Sequence, residues 1–155
     1  MSIASALGLG GRKVRYAIVG LGDIAQEALM PGVSHTGNST ITALVSGDPE
    51  KLTKLGKRYG VKHLSGYEQF STLLASGEID AIYLATPNWR HAEFAVPALE
   101  AGIHVLSEKP LDVSSAKARE IMAKAKARNC AIVLPSDGVV AKEFKAMAPA
   151  KTIRE

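Results

Sequence analysis

Short apolar runs alternate along the chain with longer stretches in which apolar and charged residues recur at helical spacing. The runs are almost continuously apolar, which is typical of strands covered on both faces in a parallel sheet. A weak strand is predicted near 61–64. Stronger runs predict strands over 14–20, 40–46, 81–85, 104–106 and 131–134.

Helices between these runs are marked by capping residues. Asp48 followed by Pro49 predicts the N-cap and the first position of a helix that stops at Gly60. A further helix is predicted over 89–101. Ser114 can cap another that runs to about 128, and the basic residues near the end of that helix suit the negative end of a helix dipole. The alternation of strands and helices predicts an α/β fold, a doubly wound parallel sheet with right-handed crossovers.

Composition narrows the classes of function. The 155 residues suffice for a single domain, and 46% hydrophobic and 22% charged residues are ordinary for a soluble fold. A net charge of +4 suits an anionic small ligand as well as a nucleic acid. Only 5% of residues are aromatic and no basic cluster is interleaved with them, so we expect no nucleic-acid partner. The single cysteine, Cys130, excludes an internal disulfide and a cysteine metal cluster, and we expect no metal.

The first 12 residues form a short apolar stretch without a preceding basic region. We therefore expect a flexible arm over 1–12 rather than a secretory signal or a membrane span. On this basis the protein is expected to be cytoplasmic and to make no membrane contact.

The segment AIVGLGDIA carries Gly20, Gly22 and Ala25 in the pattern G-x-G-x-x-A, directly after the first predicted strand. Gly20 permits a tight turn, Gly22 lets a pyrophosphate approach the backbone, and Ala25 lets helix and strand pack closely. The free N–H groups at the start of the next helix would then face the phosphates. In this context the pattern predicts a dinucleotide-binding Rossmann fold over 13–135, and a plain turn is the alternative.

The end of the second predicted strand, VSGDPEK, indicates which dinucleotide binds. A carboxylate there would accept the ribose 2′-hydroxyl of NAD, whereas a small residue beside a cation would accommodate the 2′-phosphate of NADP. Ser46 is small, Gly47 leaves room, and Lys51 follows one turn into the helix. The rival acid, Asp48, is expected to cap that helix instead. The sequence favours NADP, with NAD as the second choice, and a solvated helix face is the alternative for Lys51.

Two further stretches, ATPNWRHAEFAVPALEAG and HVLSEKPL, form a specific set with YAIVGLGDIA and ALVSGDPEK. Over about 12–126 this set resembles the N-terminal part of the glucose–fructose oxidoreductase family, also called the Gfo/Idh/MocA family. The resemblance implies a Rossmann domain that binds NADP(H) and takes part in hydride transfer at a sugar hydroxyl.

The resemblance also assigns roles to single residues. It implies that the pyrophosphate lies at the glycine turn, the 2′-phosphate beside the second strand, the adenosine near a tyrosine, and the nicotinamide ribose near the ATPN and EKP segments. For His91, packing at the start of a helix is the alternative. The implied cofactor-binding residues are Gly20, Leu21, Gly22, Asp23, Ile24, Ser46, Gly47, Lys51, Tyr67, Thr86, Pro87, Asn88, His91, Glu108, Lys109 and Pro110.

Lys109 is the catalytic residue that the resemblance implies. At the carboxyl end of a parallel strand, its charge can stabilise the alkoxide that develops as hydride leaves, or it can relay the proton. Pro110 would fix the backbone, and Glu108 would contact ribose and hold the lysine. A surface Glu–Lys pair at a strand end is the alternative.

Two features depart from the family. Its members continue into a second α/β domain that supplies the sugar pocket, so we expect that domain to be absent and enzymatic activity to be uncertain without a partner chain. Residues 136–155 form an atypical tail, and 124–152 resemble a segment of phosphoglycerate kinase. The alternative function is therefore that of an engineered or recombinant α/β domain, a chimera without productive catalysis. An uncovered sheet edge also predicts a possible homodimer.

Overall fold

A computed structural model describes residues 13–33, 35–108 and 110–133, and it contains a six-stranded parallel sheet. The strands are β1 (Val14–Val19), β2 (Ser39–Val45), β3 (His63–Ser65), β4 (Ala81–Leu84), β5 (His104–Ser107) and β6 (Ile132–Val133). They pair in the order β3-β2-β1-β4-β5-β6. The strand order reverses direction between β1 and β4, and open α/β sheets bind ligands at such a switch point. The predicted doubly wound α/β fold is confirmed.

Helices fill the connections between these strands. Helix α1 combines a π-helical stretch, Ala25–Leu29, with an α-helical turn, Met30–Val33. Short 3₁₀ turns, Tyr67–Gln69 and Asn88–Arg90, precede the third and fourth helices. The remaining helices are α2 (Pro49–Tyr59), α3 (Phe70–Ala75), α4 (His91–Glu100) and α5 (Ser115–Ala127).

The caps that the sequence predicts for α2 and α5 are confirmed. A carboxylate oxygen of Asp48 accepts hydrogen bonds from the backbone N–H groups of Glu50 at 3.0 Å and Lys51 at 3.1 Å. Helix α2 ends before Gly60, and the hydroxyl of Ser114 caps α5. Side-chain caps of this kind stabilise a helix by about 1 kcal/mol each.

Two helical segments differ from the prediction. The helix predicted over 89–101 starts as a 3₁₀ turn, and its α-helical part begins at His91. Helix α3 is not predicted by the sequence because it has only six residues and no side chain caps its start. Short helices of this kind are held by tertiary packing rather than by their own propensity.

Each face of the sheet carries its own apolar cluster, so the strands are covered on both sides. Along β1, Tyr16 and Ile18 pack with α1 and α2, whereas Ala17 and Val19 pack with α3, α4 and α5. All four side chains are fully buried. Burial raises the pKa of the Tyr16 phenol, which therefore stays neutral within the core.

Arg15 and Asp80 join the starts of β1 and β4 at the amino edge of the sheet. Nε of Arg15 donates to Oδ2 of Asp80 at 3.1 Å, and Nη2 donates to Oδ1 at 3.0 Å. The backbone N–H of Arg15 also donates to Oδ2 at 2.8 Å. These hydrogen bonds raise the pKa of the Arg15 guanidinium. Because the side chains are only 21% and 13% exposed, water screens this pair less than it screens a surface pair.

Replacement of Asp80 by asparagine should lower the free energy of unfolding by roughly 2 kcal/mol, because it leaves a partly buried guanidinium without its anion. Chemical denaturation of the parent and of Asp80→Asn measures the change. Glu100→Gln is the matched control, since Glu100 pairs with Lys124 at 2.6 Å on the exposed surface. That variant should unfold as the parent does. Equal losses in both variants would contradict a special contribution from the Arg15–Asp80 pair.

Strands β3 and β6 lie at the two edges of the described sheet. Strand β3 is short, and the side chain of Leu64 within it is 38% exposed. Pairing of two copies along such an edge stays a prediction. Within the described ranges, no helix combines the length and the apolar character that crossing a membrane requires.

Several predicted features fall outside the described residues. They are the arm over 1–12, the catalytic residue Lys109, the atypical tail over 136–155, and the part beyond 133 of the segment that resembles phosphoglycerate kinase.

Candidate functional site

A cleft of about 380 Å³ opens at the carboxyl edge of β1, β2 and β4, across the switch point of the sheet. Eight of the nine described lining residues are cofactor-binding residues that the sequence analysis predicts. The exception is Ala85. The structure thus brings together the glycine turn after β1, the end of β2 and the end of β4. The lining residues are Gly20, Leu21, Gly22, Ser46, Lys51, Tyr67, Ala85, Thr86 and Pro87.

The glycine turn is shaped by a close contact between two backbone segments. Gly20 has a φ of +93°, and a Cβ atom there would lie 2.8 Å from the carbonyl carbon and oxygen of Ala85. A Cβ atom on Gly22 would meet nothing within 4 Å, so the space beside that backbone is open. Ala25 is fully buried, and the side chain of Leu21 lies in the core, so Leu21 offers its backbone to the cleft. This arrangement leaves backbone N–H groups and open space where a diphosphate would lie.

The two glycines should respond differently to alanine. Gly20→Ala should lower the free energy of unfolding by about 2 kcal/mol or more, because a side chain at positive φ is strained and collides with Ala85. Gly22→Ala should leave stability unchanged in the ligand-free protein and weaken dinucleotide binding. Thermal denaturation and NADPH titration of both variants measure these effects. A stable Gly20→Ala protein would contradict the close contact, and parental affinity of Gly22→Ala would contradict a diphosphate beside that backbone.

Ser46 and Asp48 at the end of β2 are engaged with the start of α2. The Ser46 hydroxyl accepts a hydrogen bond from the backbone N–H of Asp48 at 3.1 Å. Because the Asp48 carboxylate accepts from two backbone N–H groups of α2, it is turned towards the helix. Ser46 and Lys51 line the cleft, whereas Asp48 is not among the described lining residues. The end of β2 therefore offers a cation and a hydroxyl group to the cleft.

Gly47 has a different surrounding from the one that the sequence predicts. The prediction is that Gly47 leaves room for the cofactor. In the structure, a Cβ atom there would lie 3.1 Å from Cε2 of Tyr67, so the aromatic ring takes that room. Because Gly47 has no side chain, one edge of the Tyr67 ring can lie close to its backbone.

Arg90 is a neighbour of the cleft that the sequence does not reveal. Its guanidinium carbon lies 4.4 Å from the ring centroid of Tyr67 and 5.1 Å from that of Phe94. Nε and Nη2 of the guanidinium donate to Oε2 and Oε1 of Glu93, each at 2.8 Å. This hydrogen bonding holds the pKa of the Glu93 carboxyl below its ordinary value and raises that of Arg90. Arg90 thus holds one face of the Tyr67 ring while Gly47 borders its edge.

The hydroxyl group of Thr86 is a buried polar group at the wall of the cleft. The residue is only 5% exposed, and within the described residues no group hydrogen-bonds its Oγ1 atom. A buried hydroxyl without a partner costs about 1–3 kcal/mol. Thr86 lines the cleft beside Pro87. A polar ligand that hydrogen-bonds this hydroxyl would recover that energy, so the lining fits a group such as a dinucleotide.

Replacement of Thr86 by valine should stabilise the ligand-free protein and weaken dinucleotide binding. Removal of the unpartnered hydroxyl should raise the free energy of unfolding of the ligand-free protein by about 1 kcal/mol, and dinucleotide affinity should fall. Thr36→Val is the matched control, because Thr36 is also buried but its hydroxyl donates to the carbonyl of Val33 at 2.9 Å. That variant should be destabilised. Denaturation and titration measure both effects, and a destabilised Thr86→Val protein with parental affinity would contradict the assigned role.

His91 packs inside the protein rather than facing the cleft. Its side chain is fully buried, and its Nε2 atom lies 3.0 Å from the carbonyl oxygen of Thr86. Its Nδ1 atom lies 3.0 Å from the carbonyl oxygen of Pro110. Direct contact with a nicotinamide ribose, the prediction from the resemblance, does not fit this burial. The structure favours the alternative, a packing role at the start of α4.

The EKP segment begins directly after β5. The carboxylate of Glu108 accepts a hydrogen bond from the hydroxyl of Tyr83, which lies on the neighbouring strand β4. Pro110 is exposed, and its carbonyl oxygen faces the ring of His91. Tyr83 was hidden from sequence reasoning because it stands in an apolar run and reads as a core residue. The residues on both sides of Lys109 are therefore tied to β4 and to α4.

Three other predicted cofactor residues lie outside the described lining of the cleft. Asp23 and Ile24 are exposed just before α1, and Asn88 is half-buried at the start of a 3₁₀ turn. The structure does not bring these side chains together with the eight predicted residues that line the cleft.

Residues 14–135 match the sequence model of the family GFO_IDH_MocA. This family is described as an oxidoreductase family with an NAD-binding Rossmann fold. The chain belongs to the Gfo/Idh/MocA oxidoreductase family. It carries the NAD(P)-binding Rossmann domain of that family, as the resemblance implies. The chain spans between 29% and 37% of the length of eight curated relatives that it matches.

Solved structures of Gfo/Idh/MocA relatives have the same fold. Aldose-aldose oxidoreductase from Caulobacter crescentus, complexed with glycerol, is 37% identical with a TM-score of 0.76, over 79% of this chain and 37% of that chain. KijD10, a 3-ketoreductase from Actinomadura kijaniata in complex with NADP, is 30% identical with a TM-score of 0.73. The match covers 79% of this chain and 38% of the KijD10 chain. The WlbA dehydrogenase from Bordetella pertussis, in complex with NADH and UDP-GlcNAcA, is 26% identical with a TM-score of 0.73, over 80% and 35%. The KijD10 structure thus contains NADP and the WlbA structure contains NADH, so the dinucleotide differs between these two relatives.

Proposed function

We propose that this domain binds NADP(H) in preference to NAD(H) and forms the cofactor-binding part of an oxidoreductase that acts on a sugar or sugar derivative. The observation that carries the proposal is the convergence of three strand ends on one cleft. That cleft combines an open glycine backbone, a cation and the buried hydroxyl of Thr86, which has no hydrogen-bond partner in the described part of the chain.

The preference for NADP rests on the charges at the end of β2. A carboxylate would bind the ribose 2′-hydroxyl of NAD and repel a 2′-phosphate. Asp48, the acid that follows β2, caps α2 and is not among the described residues that line the cleft. Lys51 lines the cleft and supplies positive charge, and Ser46 supplies a hydroxyl. These two side chains suit a phosphate group better than a free ribose hydroxyl.

The proposed division of roles follows the strand ends. The turn after β1 binds the diphosphate through its backbone, and Tyr67 flanks the adenosine side. Thr86 and Pro87 flank the nicotinamide ribose. A bound nicotinamide supplies the site for hydride acceptance or donation. Lys109 is proposed to hydrogen-bond the substrate hydroxyl and to stabilise or relay its proton.

The substrate class is proposed from the relatives. They include an aldose-aldose oxidoreductase and a D-xylose 1-dehydrogenase that uses NADP(+). Because this chain spans about a third of its relatives' length, most of a sugar pocket has to come from a further domain or from a partner chain.

Titration of the 155-residue chain with NADPH and NADH tests the cofactor assignment. We expect NADPH to bind more tightly than NADH. Lys51→Gln should weaken NADPH by about tenfold and leave NADH nearly unchanged, because one charge-assisted contact to the 2′-phosphate is lost.

Lys54→Gln is the matched control for this titration. It removes the same charge one turn further along α2, and Lys54 is not among the described residues that line the cleft. Its NADPH affinity should stay close to that of the parent. Equal effects of the two lysine variants would contradict a 2′-phosphate beside Lys51. A folded parent that binds neither dinucleotide would overturn the proposed function and support a structural α/β domain instead.

A further inference from the structure

Two loop segments meet at the ring of His91: one after β4, which lines the cleft at Thr86 and Pro87, and one after β5. The first leads from Thr86 into α4, and the second leads from Ser107 towards α5. They are far apart along the chain, and the ring of His91 lies between them. Nε2 lies 3.0 Å from the carbonyl oxygen of Thr86, and Nδ1 lies 3.0 Å and 3.1 Å from those of Pro110 and Leu111.

The ring joins the two segments whichever nitrogen carries the proton. With the proton on Nδ1, the imidazole donates to the carbonyl oxygens of Pro110 and Leu111. With the proton on Nε2, it donates to Thr86, and Nδ1 accepts from the hydroxyl of Ser107 at 3.2 Å, in place of the donation of that hydroxyl to the carbonyl oxygen of Glu108 at 3.0 Å. Complete burial keeps water from competing for these hydrogen bonds.

A carboxylate strengthens the same connection. Oδ2 of Asp112 accepts a hydrogen bond from the backbone N–H of Ala92 in the first turn of α4, at 3.4 Å. Oδ1 of Asp112 accepts from the backbone N–H of Ser114 at 2.9 Å. Asp112 is only 8% exposed. The start of α4 therefore holds the segment after β5 at two places, through a side chain of its own and through a backbone N–H group.

We propose that His91 is a positioning residue, which fixes the segment after β5 against the wall of the cleft at Thr86 and thereby sets the nicotinamide end of the site. The buried ring does not contact the dinucleotide itself. The effect on ligand binding rests on the proposed function, whereas the connection between the two segments rests on the hydrogen bonds alone.

Substitution of His91 by asparagine or by glutamine tests the hydrogen bonds of the two ring nitrogens separately. The amide nitrogen of asparagine takes approximately the place of Nδ1, so His91→Asn keeps a donor towards Pro110 and Leu111. The amide nitrogen of glutamine takes approximately the place of Nε2, so His91→Gln keeps only the contact with Thr86. The two side chains have the same polarity, and either change leaves the rest of the sequence intact.

Amide hydrogen exchange tests the connection without any ligand. In His91→Gln, exchange of peptides covering 107–114 should rise by about tenfold, the effect of one lost buried hydrogen bond, while peptides of β1 stay at the parental rate. His91→Asn should stay close to the parent. Parental exchange over 107–114 in His91→Gln, or a rise spread evenly over the whole chain, would overturn the proposal. Asp112→Asn provides the same readout should His91→Gln not fold.

Two ligands test the effect on the site. NADPH contains the nicotinamide and its ribose, whereas 2′-phosphoadenosine 5′-diphosphate carries only the adenosine half and the diphosphate. His91→Gln should weaken NADPH by about tenfold and the fragment by less than about twofold, since only the nicotinamide end loses its support. Equal weakening of both ligands would indicate general destabilisation and overturn the positioning role.

His104→Gln is the matched control. His104 is also buried, and its Nδ1 atom accepts from the backbone N–H of Ala131 at 2.9 Å, at the start of β5 and away from the cleft. That variant should keep the parental ratio of the two affinities, and an altered ratio would count against the assignment to His91. A parent that binds neither ligand would overturn the proposed function, and the exchange experiment would still decide whether His91 holds the two segments together.

Discussion

The contact between the backbone of Gly20 and the backbone of Ala85 is the constraint on which the cleft depends. It holds the turn after β1 against the end of β4 at a distance that admits no side chain. Because the two strands flank the switch point of the sheet, this contact sets where the ligand opening lies. The end of β2 reaches the same opening through its parallel pairing with β1. The geometry of the sheet therefore brings the lining residues together, and the close approach at Gly20 is part of that geometry.

Sequence alone reveals those features whose causes are local. The glycine pattern and the Asp48–Pro49 cap depend on φ angles and hydrogen bonds within a few residues, so both are predictable. Arg90 and Tyr83 are not, because their significance lies in contacts with Tyr67 and Glu108, far along the chain. Helix α3 lacks a capping side chain and is too short to produce a periodic signal.

Burial also changes the meaning of residues that a family pattern selects. His91 belongs to a segment that resembles the cofactor-binding part of the family, yet its ring is enclosed by backbone carbonyl groups. Gly47 faces an aromatic ring instead of an empty space. The two edges of the sheet differ in how their polar groups are paired. At the amino edge, Arg15 and Asp80 satisfy each other, whereas at the carboxyl edge the hydroxyl of Thr86 lacks a partner among the described residues.

The π-helical stretch Ala25–Leu29 has a consequence for changes in chain length. A π-helical turn spans one more residue than an α-helical turn, as the hydrogen bond from the N–H group of Met30 to the carbonyl oxygen of Ala25 illustrates. The extra residue stands between the glycine turn and Met30–Val33, which packs on the sheet. Deletion of one residue there should therefore convert the stretch into a regular helix and leave both flanking parts in register. The first crossover should thus tolerate the loss of one residue immediately behind the ligand opening.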